Sequence, residues 1–98
     1  MNIIKNLEGN TLTLALEGRL DTTTSPQLET LLNAELDGIT ELVFDFAKLD
    51  YLSSAGLRVL LTAQKRMSNQ GTMKLRNVNA VVKEVFDITG FTDFLTIK

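Results

Sequence analysis

Residues 41–46 read Glu41-Leu42-Val43-Phe44-Asp45-Phe46, a short apolar run typical of a strand that is buried on both faces. An amphipathic helix pattern lies on each side of this run, with apolar side chains repeating along one face. Helices that alternate with strands predict βαβ units and a mainly parallel sheet. The apolar positions are Leu28, Leu31, Leu32 and Leu36 before the strand, and Leu57, Leu60, Leu61 and Met67 after it.

Two further segments have the period-two alternation of strands. Residues 11–17 read Thr11-Leu12-Thr13-Leu14-Ala15-Leu16-Glu17, which predicts a strand with one buried face. Glu8-Gly9-Asn10 before it is typical of a turn, so residues 2–7 are expected to pair with it as an antiparallel hairpin. Residues 73–76 alternate again and predict another strand.

Capping signals predict where the helices begin and end. The expected boundaries are Ser25-Pro26 and Gly38 for the first helix, Ser53 or Ser54 and residues 68–71 for the second, and Asn79 and Gly90 for the third. Residues 18–24 are expected to form a loop, and residues 91–97 a short turn of helix and a last strand. The sequence therefore predicts one α/β domain over residues 1–98. Its sheet is expected to be mostly parallel, with four to five strands, an N-terminal antiparallel hairpin strand and three to four helices.

Composition excludes several classes of function. The chain has 98 residues and a net charge of −2, and its basic residues are spread out, whereas nucleic-acid binding needs a concentrated basic footprint. It has no histidine and no cysteine, which removes the usual catalytic triads, thiolate metal sites and disulfides. No apolar run reaches the roughly 18 residues of a membrane span, and the N-terminus does not resemble a signal peptide. We therefore expect a cytoplasmic protein without cofactor, nucleic-acid partner or membrane insertion.

Candidate functional residues follow the predicted strands. Loops after parallel strands share one edge of the sheet, where ligands of such folds usually bind. The expected loops are residues 19–24, 47–54 and 77–79, and the first two belong to successive βα units, so we expect them to be neighbours. Together they hold five hydroxyl side chains and two carboxylates: Thr22, Thr23, Thr24, Ser53, Ser54, Asp21 and Asp50.

Ser54 lies at or just inside a predicted helix start, where free backbone N–H groups and the helix dipole favour an anion such as a phosphate. A plain helix cap is the alternative role for a serine in this position, and the residues alone leave both open. Gly56 is expected to keep the first turn small and to let a partner's backbone or a nucleotide come near. Arg58 is expected to point to solvent, where it could contact a partner.

Three stretches, in this order along the chain, resemble motifs of the STAS domain family, the fold of bacterial anti-sigma factor antagonists. Gly18-Arg19-Leu20-Asp21 resembles the motif after the family's second strand. Residues 45–57, which include Tyr51-Leu52-Ser53-Ser54-Ala55-Gly56-Leu57, resemble the stretch from the third strand through the phosphorylation switch. Val85-Phe86-Asp87-Ile88-Thr89-Gly90-Phe91 resembles the motif near the third helix.

The resemblance implies a partner-switching function. The unphosphorylated form would capture an anti-sigma factor, a serine protein kinase of the histidine-kinase-like ATPase type, and free a sigma factor. Aligned on Gly56, the family's phosphoserine falls on Ser54, with Ser53 as the less favoured acceptor. Free protein is expected to be a monomer, with a weak dimer as the alternative. The expected partner-binding residues are Asp21, Thr22, Thr23, Asp50, Tyr51, Ser53, Ala55, Gly56 and Arg58.

Two positions depart from the family's switch motif, because Ser53 stands where the family has an aspartate and Ala55 follows the expected phosphoserine. The alternative function is a STAS subunit that binds a transporter or other assembly without phosphorylation. An enzyme with a serine nucleophile is disfavoured, because no histidine is present and no lysine adjoins the switch.

Overall fold

The computed structural model describes residues 1–90. Its elements in chain order are β1 (Asn2–Glu8), β2 (Thr11–Leu20), α1 (Ser25–Glu35), β3 (Glu41–Leu52), α2 (Ser54–Ser68), β4 (Thr72–Arg76) and α3 (Ala80–Thr89). The strands form one sheet in the order β1-β2-β3-β4; β1 is antiparallel to β2, and the other pairs are parallel. The predicted fold class is confirmed. The turn of helix and strand predicted for residues 91–97 lie outside the described residues.

One hydrophobic core joins the sheet to the helices. In β2, Leu12, Leu14 and Leu16 are fully buried, as their period-two spacing predicts. The predicted two-sided burial of β3 is found at its apolar positions, because Val43 is buried as well as its neighbours Leu42 and Phe44. The apolar faces of the helices complete this core, chiefly through Leu28, Leu32, Leu57, Leu60, Val82 and Phe86.

β2 and β3 extend further than the sequence predicts. The sequence predicts loops at residues 18–20 and 47–52, but both segments lie in strands, and Gly18, Arg19 and Leu20 pair with Leu49, Tyr51 and Leu52. The pairing register shifts between Ala15 and Glu17 and again between Gly18 and Arg19, and Gly18 has a positive φ of 104°. These bulges break the period-two pattern, so the strand continuation could not be read from it.

The helix ends follow their capping signals with one shift. Asn79 caps α3 through a hydrogen bond that Val82 N–H donates to its side chain, and Gly90 ends that helix in the left-handed conformation, as predicted. α1 begins at Ser25 but ends at Glu35, earlier than the predicted stop at Gly38, which lies in the following turn with φ of 79°. None of the three helices in residues 1–90 is long and apolar enough to cross a bilayer.

Gly71 lies where the turn after α2 meets the start of β3. Thr72 N–H donates a hydrogen bond of 2.9 Å to Thr40 O, which holds the two backbones together. A Cβ atom on Gly71 would lie 1.8 Å from that same oxygen, so only glycine fits without moving the backbone. This contact therefore positions the start of β4 beside β3.

Replacing Gly71 by alanine is expected to lower the free energy of unfolding by about 2 kcal/mol, because backbone atoms must shift to relieve the overlap. Equilibrium unfolding in urea measures this change. Thr72→Ala is the control, since Thr72 is exposed and surface substitutions usually stay within about 0.5 kcal/mol. A Gly71→Ala protein as stable as the control would contradict the prediction.

Candidate functional site

The ends of β2 and β3 bring the first two predicted loops together. Arg19 pairs with Tyr51, and Leu20 pairs with Leu52, in the parallel register of the two strands. Ser53 N–H then donates a hydrogen bond of 2.9 Å to Leu20 O. The loop that follows β2 and the start of α2 are therefore neighbours, as expected from the βα topology. Both adjoin the carboxyl ends of parallel strands.

Ser53 and Ser54 have different positions at the start of α2. Ser53 is the N-cap residue, is half-buried, and accepts a hydrogen bond of 3.3 Å from Gly56 N–H through its side chain. Ser54 is the first residue of the helix and is exposed, and its hydroxyl makes no hydrogen bond with residues 1–90. The capping role that the sequence left open between the two serines therefore falls to Ser53.

Gly56 is buried and faces the sheet rather than the surface. A Cβ atom at this position would lie 2.7 Å from Leu20 Cγ and 2.7 Å from Leu52 Cδ1. The sequence-based expectation that Gly56 lets a partner's backbone come near is corrected on this point, because the close neighbours are side chains of the chain's own strands. The glycine lets the first turn of α2 pack directly on the ends of β2 and β3.

The loop after β2 is held by the carboxylate of Asp21. Its Oδ1 accepts hydrogen bonds from the Thr23 hydroxyl at 2.7 Å, from Thr23 N–H at 3.0 Å and from Thr24 N–H at 3.1 Å. The Thr24 hydroxyl donates to Arg19 O at 2.8 Å, which ties the loop back to β2. The hydrogen bond from the Thr23 hydroxyl is the main cause that holds the pKa of Asp21 below its ordinary value. Thr22 and Thr23 are exposed on this loop.

The free energy of unfolding is expected to fall in acid, partly because the Asp21 carboxylate becomes protonated. Since its folded-state pKa lies below the ordinary 3.8, the ionised carboxylate stabilises the fold above that pH, and this contribution is lost as the pH falls through the lowered folded-state pKa. Urea unfolding at about pH 6 and about pH 3 should therefore show a smaller loss of stability in Asp21→Asn than in the wild type.

The control for this measurement is Asp50→Asn, because the Asp50 carboxylate is exposed and makes no hydrogen bond or ion pair with the described residues. It should lose as much stability in acid as the wild type does. An acid sensitivity that is the same in Asp21→Asn and in the wild type would show that the loop carboxylate has no such role.

Tyr51 and Arg19 form a stacked pair beside this loop. The Arg19 guanidinium lies 4.2 Å from the centre of the Tyr51 ring, and its Nε lies 3.7 Å from Asp21 Oδ2. Tyr51 is one of the large apolar side chains that remain exposed. The sequence does not predict Arg19 as a site residue, because its contact with Tyr51 depends on the register of β2 and β3. Arg58 and Asp50 are also exposed nearby in the chain, and Ala55 is half-buried.

The third predicted loop, residues 77–79, serves to hold the fold together. Asn77 Nδ2 donates a hydrogen bond of 3.0 Å to Asp45 Oδ1, and this bond is the main cause that lowers the pKa of Asp45. Asn79 Nδ2 donates a hydrogen bond of 2.8 Å to Leu49 O, besides capping α3. Within residues 1–90, no group of three or more Asp and Glu side chains could hold a metal ion.

Comparison with known proteins assigns this architecture to a family. The sequence model of the STAS domain family matches residues 2–98 of this chain. The chain belongs to the STAS domain family. Its relatives include BtrV of Bordetella bronchiseptica, a candidate anti-sigma factor antagonist, which is 39% identical over 84 residues, covering 84% of this chain and 72% of BtrV.

Solved structures of low sequence identity share the same fold. The unphosphorylated form of the anti-sigma factor antagonist SpoIIAA is 19% identical and has a TM-score of 0.85, covering 99% of this chain and 88% of that one. An anti-sigma factor antagonist from Mycobacterium paratuberculosis is 18% identical with a TM-score of 0.88, and the match covers 98% of this chain and 83% of that one. The phosphorylated form of SpoIIAA from Bacillus is 18% identical with a TM-score of 0.78, and the match covers 99% of this chain and 91% of that one.

Proposed function

We propose that this STAS domain is an anti-sigma factor antagonist controlled by phosphorylation at Ser54. In its unphosphorylated form it binds an anti-sigma factor, a serine protein kinase of the histidine-kinase-like ATPase type, and so frees a sigma factor. Phosphorylation of Ser54 by this partner ends the complex. The protein acts by binding and not by catalysis, as a monomer in the bacterial cytoplasm.

The exposure of the Ser54 hydroxyl is the observation that carries the proposal. A kinase must reach the oxygen that it modifies, and Ser54 is exposed at the first position of α2 without a hydrogen bond to residues 1–90. Ser53 is half-buried, and its oxygen accepts the capping hydrogen bond from Gly56 N–H. The Ser53 oxygen is thus already engaged and less accessible than the Ser54 oxygen, so the geometry favours Ser54 as the acceptor.

The surface around Ser54 supports the choice of binding residues. The Asp21 loop and the stacked Tyr51 lie at the strand ends next to the start of α2. Aromatic and arginine side chains are enriched among residues that dominate binding at protein interfaces. This surface is extended by four exposed residues, Thr22, Thr23, Asp50 and Arg58. The start of α2 beside it is formed by Ser53, Ala55 and Gly56.

The physical basis of the switch is a change of charge within a packed contact. A phosphate adds about −1.5 to −2 of charge at neutral pH, and burying it against a partner costs desolvation and repulsion. On the free domain the same group remains hydrated, and the helix start favours an anion. Phosphorylation therefore disfavours the complex more than the free domain.

The serine at position 53 fits this function although the family motif has an aspartate there. Serine and aspartate are both strong N-cap residues, and Ser53 makes the capping hydrogen bond through its own oxygen. The start of α2 is thus preserved while one negative charge next to Ser54 is absent. We infer that the kinase positions the Ser54 hydroxyl without a carboxylate at this neighbouring position.

Substitutions at Ser54 test the switch. Ser54→Ala should bind the purified kinase with wild-type affinity and remain bound when ATP and Mg²⁺ are added, because it cannot be phosphorylated. Ser54→Asp should bind at least about tenfold more weakly, because it places a charge in the contact. Isothermal titration calorimetry measures the affinities, and mass spectrometry locates the phosphate on the wild-type chain.

Ser53→Ala is the matched control, since it removes the neighbouring hydroxyl and leaves the proposed acceptor in place. It should still be phosphorylated, although it is less stable by about 1 kcal/mol through loss of the cap. Equal kinase binding by Ser54→Ala and Ser54→Asp, with no phosphate on the wild type, would reject the switch. That result would favour a STAS subunit that holds its partner constitutively.

A further inference from the structure

Arg58 is an exposed cation of α2 that has no ion pair with residues 1–90. On the same helix Arg66 pairs with Asp37 at 2.6 Å. Arg58 and Lys65 have no such carboxylate partner in the described part of the chain. The Arg58 guanidinium is therefore available for a further contact.

The sequence of α2 leaves Arg58 without an acidic neighbour on its own helix. Side chains three and four residues apart are neighbours on a helix surface, and those positions around Arg58 hold no Asp or Glu. They are Ser54, Ala55, Leu61 and Thr62. A phosphate on Ser54 would supply the missing anion at i−4, and an anion N-terminal to a cation is the favourable order on a helix.

Ser54 and Arg58 also border the same surface depression. This open depression has a volume of about 310 Å³ and is lined by Ser54, Leu57, Arg58, Leu61 and Thr89. Leu57 is almost fully buried, so the polar side chains of Ser54 and Arg58 flank an apolar floor. A phosphate and a guanidinium that share such a site are brought together by their charges and form paired hydrogen bonds.

We propose that Arg58 is the internal counter-ion of a phosphate carried by Ser54. This inference rests on the proposed phosphorylation and extends it, because modification would then have two effects on the partner surface. It adds an anion, and it withdraws an exposed guanidinium that has no carboxylate partner among residues 1–90 in the unphosphorylated form. Arg58 takes no part in the transfer itself. That step forms the bond from Ser54 Oγ to the γ-phosphorus of ATP and releases ADP and the hydroxyl proton.

The pKa of the phosphate group measures this pairing directly. Phosphoserine is placed at position 54 during synthesis of the full chain, so that no kinase is needed, and the phosphate is titrated by ³¹P nuclear magnetic resonance. A nearby guanidinium favours the dianion, so the second pKa should lie below its ordinary value of about 6. Arg58→Gln should raise it by about 0.2 to 0.4, because the dianion carries one more unit of charge than the monoanion and an exposed i,i+4 pair is worth about 0.2 to 0.5 kcal/mol.

Two variants separate a specific pair from the general charge of the protein. Lys65→Gln removes an exposed cation that, like Arg58, has no carboxylate partner in residues 1–90. It lies 11 residues along α2 from Ser54, which is about 16 Å, and its removal should leave the phosphate pKa unchanged. Arg58→Lys keeps the charge and should restore part of the lowering. Asp21, Asp50 and the backbone N–H groups of the helix start are common to all variants, so their effects on the pKa cancel.

The outcomes also separate this inference from the proposed function. A phosphate pKa that is the same in Arg58→Gln and in the unsubstituted phosphoprotein overturns the inference, as does an equal rise in Lys65→Gln. Either result leaves kinase-driven switching untouched. Conversely, a kinase that does not modify Ser54 rejects the proposed function, whatever the titration of the synthetic phosphoprotein shows.

Discussion

The hydrogen bond from Ser53 N–H to Leu20 O joins the end of β3 to the end of β2, and the geometry of the candidate site depends on this junction. It continues a strand pairing that passes two register shifts before reaching Leu20 and Leu52. The buried Gly56 then packs on both of these leucines, so that α2 starts directly above the paired strand ends. The Asp21 loop, the Tyr51 ring and the first turn of α2 are thereby placed beside one another.

The two adjacent serines illustrate how one residue type serves two needs at a helix start. Ser53 satisfies a backbone N–H group of the first turn and is half-buried, so its hydroxyl is committed to the fold. Ser54 follows in helical conformation and is exposed, and its hydroxyl can be modified without loss of the cap. The proposed phosphorylation of Ser54 would therefore leave the helix cap in place.

The charged side chains at this edge of the sheet are held in place by short contacts with their neighbours. Asp21 is engaged by the threonines of its own loop and by Arg19, which in turn stacks on Tyr51. These contacts restrain the loop and the Tyr51 ring, and restraint of a surface before binding reduces the entropy cost of association. Arg58 differs from Arg19, because within the described residues it has no carboxylate partner.

Much of the fold could be read from the sequence, because apolar periodicity and capping residues act locally. The strand alternation in residues 11–17, the buried run around Phe44 and the caps Asn79 and Gly90 are all found where the pattern predicts them. Ser53 and Ser54 were also placed correctly at a helix start. Only the tertiary structure decided which serine caps the helix, that residues 18–20 pair with residues 49–52, and that Arg19 stacks on Tyr51. The strand pairing and the Arg19–Tyr51 contact join segments about 30 residues apart, across bulges that erase the local period, so no window of sequence contains them. The cap is a local hydrogen bond, but which serine makes it depends on where the paired β3 strand ends.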